Sequence, residues 1–546
     1  MSAMLSVKDL AVAFQTRRGQ VDAVRGISFE VSKGEILGIV GESGSGKSVT
    51  SYALMRILDA GGTIKAGEAT YSGIDLRRAT ERDMRDIRGR EISMIFQNPR
   101  AALNPIRKVG HQIEDVLCHH ARATRYDARA KAIAALEAVK INDAEARYNA
   151  YPFELSGGMC QRIVCAIALA CDPRLLIADE PTTGLDITTQ KALMDLVRDL
   201  IREREMSSIL ITHDLGLAAQ YCDRILVMKD GEIVEQGDPG QIFTDPQHPY
   251  SRKLVDATPR AGETVRSLLP PEDRGSEPTP IIGDKTLLEV RNLTKTYAGK
   301  SGPVHAVKGI SFSIKLGQCV GLVGESGCGK STTSEILVRL MDATSGEVIF
   351  DGEDIAQVPA RGFAKDPRRA DIQMVFQDAT DSLNPRHTAR QTISEPLRRL
   401  GRMRGAQVKA RIEELATLVG LPLSLLDRFP HQLSGGQKAR VGIARAIALD
   451  PKFLILDEPT AALDVSIQAV VLNLLVDLRA KLGLSYLFVS HDLHVVRLLC
   501  DHVIVMKDGE IVEQGAAQDV MSNPKSDYTK TLLAAAPKPP LRRVTN

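Results

Sequence analysis

The stretch Gly41-Glu-Ser-Gly-Ser-Gly-Lys47-Ser48 follows a short apolar run, Ile36-Leu-Gly-Ile-Val40. The apolar run predicts a buried strand, and the glycines let the backbone turn its N–H groups inward as a nest for phosphate oxygens. Lys47 can reach the β- and γ-phosphates of a nucleotide, and the Ser48 hydroxyl can ligate Mg²⁺. We therefore predict a strand, a phosphate loop and a helix, with nucleotide contacts from Gly41, Glu42, Ser43, Gly44, Ser45, Gly46, Lys47 and Ser48.

A second phosphate loop lies in the other half of the chain, where Gly324-Glu-Ser-Gly-Cys-Gly-Lys330-Ser331 follows Cys319-Val-Gly-Leu-Val323. Further motifs recur in the same order: Leu155-Ser-Gly-Gly158 as Leu433-Ser-Gly-Gly436, Asp179-Glu-Pro-Thr182 as Asp457-Glu-Pro-Thr460, and His213-Asp-Leu215 as His491-Asp-Leu493. Such repetition indicates the duplication of a whole domain. The second set of predicted nucleotide contacts is Gly324, Glu325, Ser326, Gly327, Cys328, Gly329, Lys330 and Ser331.

The duplication sets the predicted domain limits in this chain of 546 residues. The first domain is predicted at 1–258 and the second at 287–536. Between them, residues 259–286 carry five prolines among charges and glycines, so we expect a linker that buries too little apolar surface to become ordered. Residues 537–546 are predicted to be a loose tail.

The pattern of apolar residues predicts an α/β fold for each domain. Residues 5–14 and 22–31 alternate in a way that suits an antiparallel sheet. Apolar runs at 175–178, 209–212 and 225–228 alternate with helical segments, which indicates a parallel sheet covered on both faces. Helical subdomains are expected at about 98–155 and 378–433, so each domain combines a parallel nucleotide core, an antiparallel β subdomain and a helical subdomain.

Composition excludes several classes of protein. The formal net charge is +2, aromatic residues make up 4% of the chain and there is no Trp, so nothing points to nucleic acid as a partner. We find no apolar run long enough to span a bilayer and no signal-peptide pattern at the N-terminus. The eight scattered cysteines favour a reducing compartment over a disulfide framework. These features predict a soluble, cytosolic protein.

Carboxylates follow an apolar strand in both halves, at Asp179-Glu180 and at Asp457-Glu458. An Asp at the end of a strand beside a phosphate loop can hold Mg²⁺, and the adjacent Glu can act as general base toward water. A solvated turn is the ordinary alternative for such a pair. Recurrence of the pair in both halves, each time before Pro-Thr, favours the chemical interpretation.

Ser156-Gly157-Gly158 and Ser434-Gly435-Gly436-Gln437 each precede a helical run. A serine at this position can be a simple helix cap, or the exposed N–H groups of the helix start can bind an anion. Taken singly, each motif leaves both interpretations open.

The order of these motifs in both halves resembles the ATPase domain of ATP-binding-cassette proteins, over nearly the whole chain. The resemblance implies that the chain binds and hydrolyses ATP with Mg²⁺, that Phe14 and Tyr297 stack on adenine, and that the signature Ser-Gly-Gly segments bind nucleotide. It implies that Asp186 and Asp464 act across the interface between the halves. The implied metal ligands are Ser48, Gln97, Asp179, Ser331, Gln377 and Asp457. The implied catalytic residues are Glu180, Glu458, His213, His491, Gln97 and Gln377.

One position departs from the family pattern. The first signature has Met159 where the second has Gln437. Methionine cannot donate a hydrogen bond, so we expect a weakened but working first signature.

The segments Gln97-Asn-Pro-Arg-Ala-Ala-Leu-Asn-Pro105 and Gln377-Asp-Ala-Thr-Asp-Ser-Leu-Asn-Pro385 resemble those of oligopeptide and dipeptide importer ATPases, as do the extensions ending in Pro249-Tyr250 and Tyr528. Fused ATPases of this kind occur in importers of peptides, microcin-like peptides and glutathione. The Asn-Pro and Pro-Tyr segments could also be ordinary turns and caps. Since no Cys lies between Cys222 and Cys319, we expect no iron–sulfur cluster of the kind some relatives carry.

This resemblance implies two integral-membrane permeases and an extracytoplasmic substrate-binding protein as partners, and a peripheral location at the cytoplasmic face of the inner membrane. It also implies that the two halves close head to tail, pairing Lys47 with Ser434 and Lys330 with Ser156. The alternatives are a fused ATPase of a sugar or nickel importer and a twin-cassette protein outside transport. The ribosome-associated type would carry a long charged helical linker, and the DNA-repair type would carry zinc-binding cysteine pairs.

Overall fold

The computed structural model describes residues 3–16, 19–260, 262–299, 302–377, 382–461 and 463–537. Part of the predicted importer segment, 378–381, and most of the predicted tail, 538–546, lie outside these residues. The chain forms two compact units, the first consisting mainly of residues up to Thr258 and the second mainly of Pro259–Ala536. Each unit is an α/β structure, as the sequence predicted.

The first half contains two sheets. Its strands are β1 (Ala3–Thr16), β2 (Gly19–Ser32), β3 (Ile36–Val40), β4 (Gly62–Tyr71), β5 (Ile74–Asp75), β6 (Ile92–Ile95), β7 (Leu175–Asp179), β8 (Ser207–Thr212), β9 (Arg224–Lys229) and β10 (Glu232–Gly237). The antiparallel sheet has the order β2-β1-β4-β5, and the core sheet has the order β10-β9-β3-β8-β7-β6. Within the core sheet only β10 runs antiparallel to its neighbour. The predicted combination of an antiparallel and a parallel sheet is confirmed.

The helices of the first half pack against the core sheet and against one another. They are α1 (Lys47–Met55), α2 (Glu81–Ile87), α3 (Pro99–Ala102), α4 (Val109–His119), α5 (Ala128–Ala138), α6 (Ala144–Tyr148), α7 (Gly157–Leu169), α8 (Ile187–Glu203), α9 (Leu215–Tyr221), α10 (Pro239–Thr244) and α11 (Pro249–Ala257). Strands β3, β7 and β8 are buried along their whole length, because their unbroken apolar sequences suit a sheet covered on both faces.

Helices α3 to α6 form the predicted helical subdomain of the first unit. Val109, Ile113 and Leu117 repeat every four residues, so they share one face of α4. That face is buried in a common core with Leu136 of α5 and Tyr148 of α6.

The second half repeats this architecture. Its strands are β11 (Thr286–Gly299), β12 (Gly302–Lys315), β13 (Cys319–Val323), β14 (Ser345–Phe350), β15 (Glu353–Asp354), β16 (Ile372–Val375), β17 (Phe453–Asp457), β18 (Ser485–Val489), β19 (His502–Lys507) and β20 (Glu510–Ala516). Its helices are α12 (Lys330–Leu337), α13 (Ala360–Phe363), α14 (Ala389–Arg399), α15 (Ala406–Leu418), α16 (Gly435–Ala446), α17 (Val465–Leu482), α18 (Leu493–Leu499), α19 (Ala517–Ser522) and α20 (Asp527–Ala535). The sheet orders, β12-β11-β14-β15 and β16-β17-β18-β13-β19-β20, match those of the first half.

The segment predicted as a loose linker packs in part against the second unit. Val265 and Leu268 are 3% and 1% exposed. The Asn473 side chain of α17 donates a hydrogen bond of 2.8 Å to the Val265 carbonyl. Arg266 donates to the Asn473 side-chain oxygen and forms an ion pair with Asp477. The expectation that this segment buries too little apolar surface was therefore wrong for these residues, because α17 supplies the partner surface.

Among the described residues, no helix has both the length and the apolar character needed to cross a bilayer.

Candidate functional site

Each phosphate loop connects the central strand of a core sheet to the helix that follows. In the first unit the loop lies between β3 and α1, and Lys47 is the first residue of the helix. Its ammonium donates to the carbonyl oxygens of Gly41, at 2.8 Å, and Glu42, at 2.9 Å. In the second unit Lys330 donates in the same way to the carbonyl oxygens of Gly324, at 2.8 Å, and Glu325, at 2.9 Å. The two predicted loops therefore have the same geometry.

Glycine is required where the loop joins the helix. Gly46 has φ of 98°, and a Cβ at this position would lie 2.5 Å from the carbonyl oxygen of Ala23. The equivalent Gly329 has φ of 105°, and its Cβ would lie 2.4 Å from the Ala306 carbonyl oxygen. A side chain at either position would force backbone to move, so close packing keeps this part of the loop free of side chains.

The predicted metal ligands Ser48 and Asp179 lie together, although they are far apart in sequence. Asp179 ends β7, and its Oδ1 accepts a hydrogen bond of 2.9 Å from the Ser48 hydroxyl. Its Oδ2 is buried without a hydrogen-bond partner, as is Oδ1 of Asp457 in the second unit. A buried carboxylate oxygen without a partner is costly, and a divalent cation would satisfy it. The residues present therefore fit Mg²⁺.

Burial also affects the acidity of these aspartates. It raises the pKa of Asp179 to about 6, assisted by the neighbouring Glu180 charge and opposed by Ser48 and Lys47. Burial, with the Glu458 charge, raises the pKa of Asp457 to about 6 as well. Ionising either carboxyl group in the folded protein therefore costs free energy, and a bound cation would offset this cost by stabilising the charged form.

The predicted bases Glu180 and Glu458 are held by other predicted site residues. Gln97 donates a hydrogen bond of 2.7 Å to Glu180, and His213 Nδ1 lies 3.1 Å from the same carboxylate. In the second unit the corresponding distances are 2.9 Å from Gln377 and 3.2 Å from His491 to Glu458. The structure thus joins Gln, Glu and His into one cluster in each unit.

The two glutamates have an unusual backbone conformation and a lowered side-chain pKa. Glu180 and Glu458 have φ of 47° and 44°, a left-handed conformation that is uncommon for a residue with a side chain. Burial acts to raise the pKa of Glu180, but the hydrogen bond and charge of His213 and the charge of Lys47 lower it to about 2. The same balance lowers the pKa of Glu458. Each glutamate is therefore ionised at neutral pH, and its carboxylate oxygens can accept hydrogen bonds or a proton.

The signature serines are helix N-caps. Ser156 Oγ accepts from the Met159 N–H at 3.3 Å, and Ser434 Oγ accepts from the Gln437 N–H at 3.3 Å. In the second unit the Gln437 side chain also accepts from the Ser434 N–H at 2.9 Å, completing a capping box. The Gln437 side chain therefore acts here as an acceptor, and not as the donor expected from the sequence.

The remaining predicted residues occupy equivalent places in the two halves. Phe14 in β1 pairs with Val21, and Tyr297 in β11 pairs with Val304. Their stacking on adenine stays a prediction. Asp186 accepts a hydrogen bond of 2.8 Å from the Thr188 hydroxyl, and Asp464 is the N-cap residue of α17. The predicted roles of these aspartates across an interface also stay predictions.

Sequence reasoning missed three contacts of the site. The Thr183 hydroxyl donates to Glu180 at 3.1 Å. The hydroxyl groups of Tyr250 and Tyr528 accept from the backbone of the two phosphate loops. The tyrosines were visible as part of the repeated extensions, but nothing in the sequence pointed from those extensions to the loops.

Comparison with known proteins places this site in a family. The sequence matches the family described as ABC transporter over residues 24–183 and 307–461. It also matches the oligopeptide/dipeptide transporter C-terminal region over 234–282 and 512–545. The glutathione import ATP-binding protein GsiA of Pectobacterium atrosepticum is 44% identical over 98% of this chain and 89% of its own length. The protein of the same name from Escherichia coli O6:H1 is also 44% identical, with the same coverage.

Among solved structures, a dimeric ATP-binding cassette bound to ADP and Pi is 26% identical and covers 43% of this chain and 98% of its own, with a TM-score of 0.40. The two family matches cover both halves of the chain, and the relatives align over nearly all of it. The chain therefore belongs to the ATP-binding proteins of ABC transporters, with two ATPase domains that hydrolyse ATP in support of transport and two oligopeptide/dipeptide transporter C-terminal regions.

Proposed function

We propose that this chain energises a binding-protein-dependent importer of small peptides, with glutathione or a similar peptide as the substrate. The observation that carries the proposal is the pair of oligopeptide/dipeptide transporter regions, one after each ATPase domain. Relatives that align over 98% of the chain are named as glutathione import ATP-binding proteins. A sugar or nickel importer remains the alternative within transport.

In each ATPase site we assign the general base to Glu180 or Glu458. Mg²⁺ would be held by Ser48, Asp179 and Gln97 in the first unit and by Ser331, Asp457 and Gln377 in the second. The cation supplies charge neutralisation at the phosphates when it is bound. The glutamate orients the attacking water and accepts its proton, while His213 or His491 holds the γ-phosphate. The buried, unpartnered oxygens of Asp179 and Asp457 support the metal assignment.

The partners follow from the same proposal. Two integral-membrane permeases would dock on the helical subdomains, about 98–155 and 378–433, because Gln97 and Gln377 connect those regions to the catalytic glutamates. An extracytoplasmic binding protein would deliver the substrate. The chain would then work as a peripheral protein at the cytoplasmic face of the inner membrane.

Uptake measurements test the substrate class. Vesicles containing the chain with its permeases, supplied on the outside with the substrate-binding protein, should accumulate labelled glutathione or a dipeptide when ATP is enclosed, and not maltose or Ni²⁺. The Glu180→Gln, Glu458→Gln variant should bind ATP and show no uptake, since loss of a positioned base removes on the order of 10²–10⁴ in rate. Uptake of maltose or Ni²⁺ in place of peptide would refute the substrate class, and uptake by the double variant would refute the assignment of the bases.

We further propose that the two halves share their nucleotides, Lys47 with Ser434 and Lys330 with Ser156. In the Glu180→Gln, Glu458→Gln background, each chain should trap about two ATP. Adding Lys47→Ala with Ser434→Arg should then damage one site and leave one trapped ATP. Adding Lys47→Ala with Ser156→Arg should damage both sites. Equal trapping by the two combinations would contradict cross-pairing, and the reverse order would mean that each half closes on its own nucleotide.

A further inference from the structure

The extension after each ATPase core reaches back to the phosphate loop of the same unit. In the first unit the Glu42 N–H donates a hydrogen bond of 3.0 Å to the hydroxyl of Tyr250, in the first turn of α11. In the second unit the Glu325 N–H donates at 3.1 Å to the hydroxyl of Tyr528, in the first turn of α20. The same contact therefore forms in both units, although the local sequences differ.

The peptide group that donates a hydrogen bond to the tyrosine hydroxyl also accepts one from the lysine of the loop. The Gly41 carbonyl and the Glu42 N–H belong to one planar peptide group and point in opposite directions. Lys47 donates to that carbonyl at 2.8 Å, while Tyr250 accepts from that N–H. In the second unit the Gly324–Glu325 peptide is held in the same way between Lys330 and Tyr528. Rotation of this peptide would break both hydrogen bonds together.

The tyrosine is itself held in place by the rest of the extension. The Glu235 carboxylate of β10 accepts from the N–H groups of Gln247 and His248, at 2.8 and 2.9 Å, just before α11. In the second unit Glu513 of β20 accepts from Lys525 and Ser526, at 2.8 and 3.0 Å, just before α20. These two bonds fix the start of each helix, and with it the direction in which the tyrosine leaves the backbone.

The tyrosine ring also contacts the strand beside the loop. The Lys229 ammonium at the end of β9 lies 5.3 Å from the centre of the Tyr250 ring, and Lys507 at the end of β19 lies 5.0 Å from that of Tyr528. Both distances are within the range of a cation–π interaction. The lysine contacts the ring and the loop N–H contacts the hydroxyl, so the hydroxyl has a defined position against the loop.

We propose that Tyr250 and Tyr528 are positioning residues for ATP binding, which hold the first peptide of each phosphate loop in the orientation that places the loop lysine. The extension then contributes to nucleotide affinity without touching the nucleotide. Loss of the hydroxyl should let the peptide rotate in the free protein, so that binding ATP has to restore its order. The inference rests on ATP binding alone and is independent of which substrate is transported.

The test uses the full chain with Tyr250→Phe and Tyr528→Phe, singly and together. Phenylalanine keeps the ring and removes only the hydroxyl. Equilibrium binding of labelled ATP, measured in the Glu180→Gln, Glu458→Gln background, should show one site weakened about three- to tenfold by each single change and both by the pair, as expected for one lost hydrogen bond. In the catalytically intact chain, KM for ATP should rise by a similar factor while kcat changes less than twofold.

Tyr486→Phe is the matched control, because it also removes one tyrosine hydroxyl. That hydroxyl donates at 3.0 Å to the Leu475 carbonyl, which is not part of a phosphate loop. This variant should lower thermal stability without changing KM. Unchanged ATP affinity in both loop variants would overturn the proposal. So would a fall in kcat without a rise in KM, or an equal rise in KM for Tyr486→Phe. Since the two units offer independent copies, a folding defect in one variant leaves the other as the test.

Discussion

The side-chain amide of Gln97 donates a hydrogen bond of 2.7 Å to the carboxylate of Glu180, across a separation of 83 residues in sequence. Gln97 follows β6 and precedes the helical subdomain, whereas Glu180 follows β7. The predicted base is therefore attached to the point where the chain leaves the core sheet for that subdomain. Gln377 and Glu458 repeat the contact in the second unit. A displacement of the helical subdomain would act directly on the hydrogen bonding of the base.

Replacing both glutamines by alanine should lower ATP turnover about tenfold, less than replacing both glutamates by glutamine. The glutamate keeps its hydrogen bonds to histidine, and in the first unit to Thr183. The proposed Mg²⁺ site keeps its serine and aspartate ligands, so each site loses only one hydrogen bond of the base and one metal ligand of three. Steady-state ATPase rates of the Gln97→Ala, Gln377→Ala variant measure this effect. Gln112→Ala, which removes hydrogen bonds within the helical subdomain, is the control and should change turnover little. A loss as large as that of the glutamate variant would contradict this ranking.

Gly46→Ala should weaken ATP binding at the first site far more than Gly44→Ala. Both residues have positive φ, but a Cβ at Gly46 would meet the Ala23 carbonyl at 2.5 Å, whereas a Cβ at Gly44 has nothing within 4 Å. Gly44→Ala therefore carries only the cost of the left-handed conformation, about 1–2 kcal/mol. Titration with labelled ATP should separate the two variants by more than tenfold in Kd. Equal losses would mean that conformation, and not close packing, sets the requirement for glycine.

Met159→Gln should stabilise the first unit by about 0.5–1 kcal/mol, because glutamine can accept from the Ser156 N–H as Gln437 does from Ser434. The converse change, Gln437→Met, should cost the second unit a similar amount. Thermal or denaturant unfolding measures both. Met159→Leu is the control for side-chain shape and should give no gain. If glutamine and leucine have the same effect at position 159, the capping box contributes nothing measurable there.

Asp477→Asn should loosen residues 263–274 from α17, since the Asp477 carboxylate forms an ion pair with the guanidinium of Arg266. Trypsin cleavage after the exposed Arg274 should accelerate about three- to tenfold, as expected when one charge-assisted contact of about 1 kcal/mol is weakened and cleavage follows local opening. Asp199→Asn, on the equivalent helix of the first unit, is the control, because Asp199 pairs with its neighbour Arg198. An unchanged rate at Arg274 would show that the apolar contacts of Val265 and Leu268 suffice to hold the segment.

The two domains, the phosphate loops and most of the residues that meet at each site could be predicted from the amino-acid sequence. This was possible because those features are local: a glycine-rich loop after an apolar strand, and carboxylates at a strand end, appear as short patterns that occur twice. The position of Asp179 follows from the same logic, since the end of β7 lies on the same edge of the parallel sheet as the loop after β3.

Contacts between segments that lie far apart in sequence could not be predicted in this way and became visible in the folded chain. Gln437 proved to be an acceptor in a capping box, α17 supplied the surface that orders Val265 and Leu268, and Tyr250 reached a peptide 208 residues earlier in the chain. Each depends on the direction in which a side chain or N–H group points after the elements have packed. Periodicity and composition carry no information on that direction, because many packings satisfy the same apolar pattern and only one brings these particular hydrogen-bonding groups within 3 Å or so of each other.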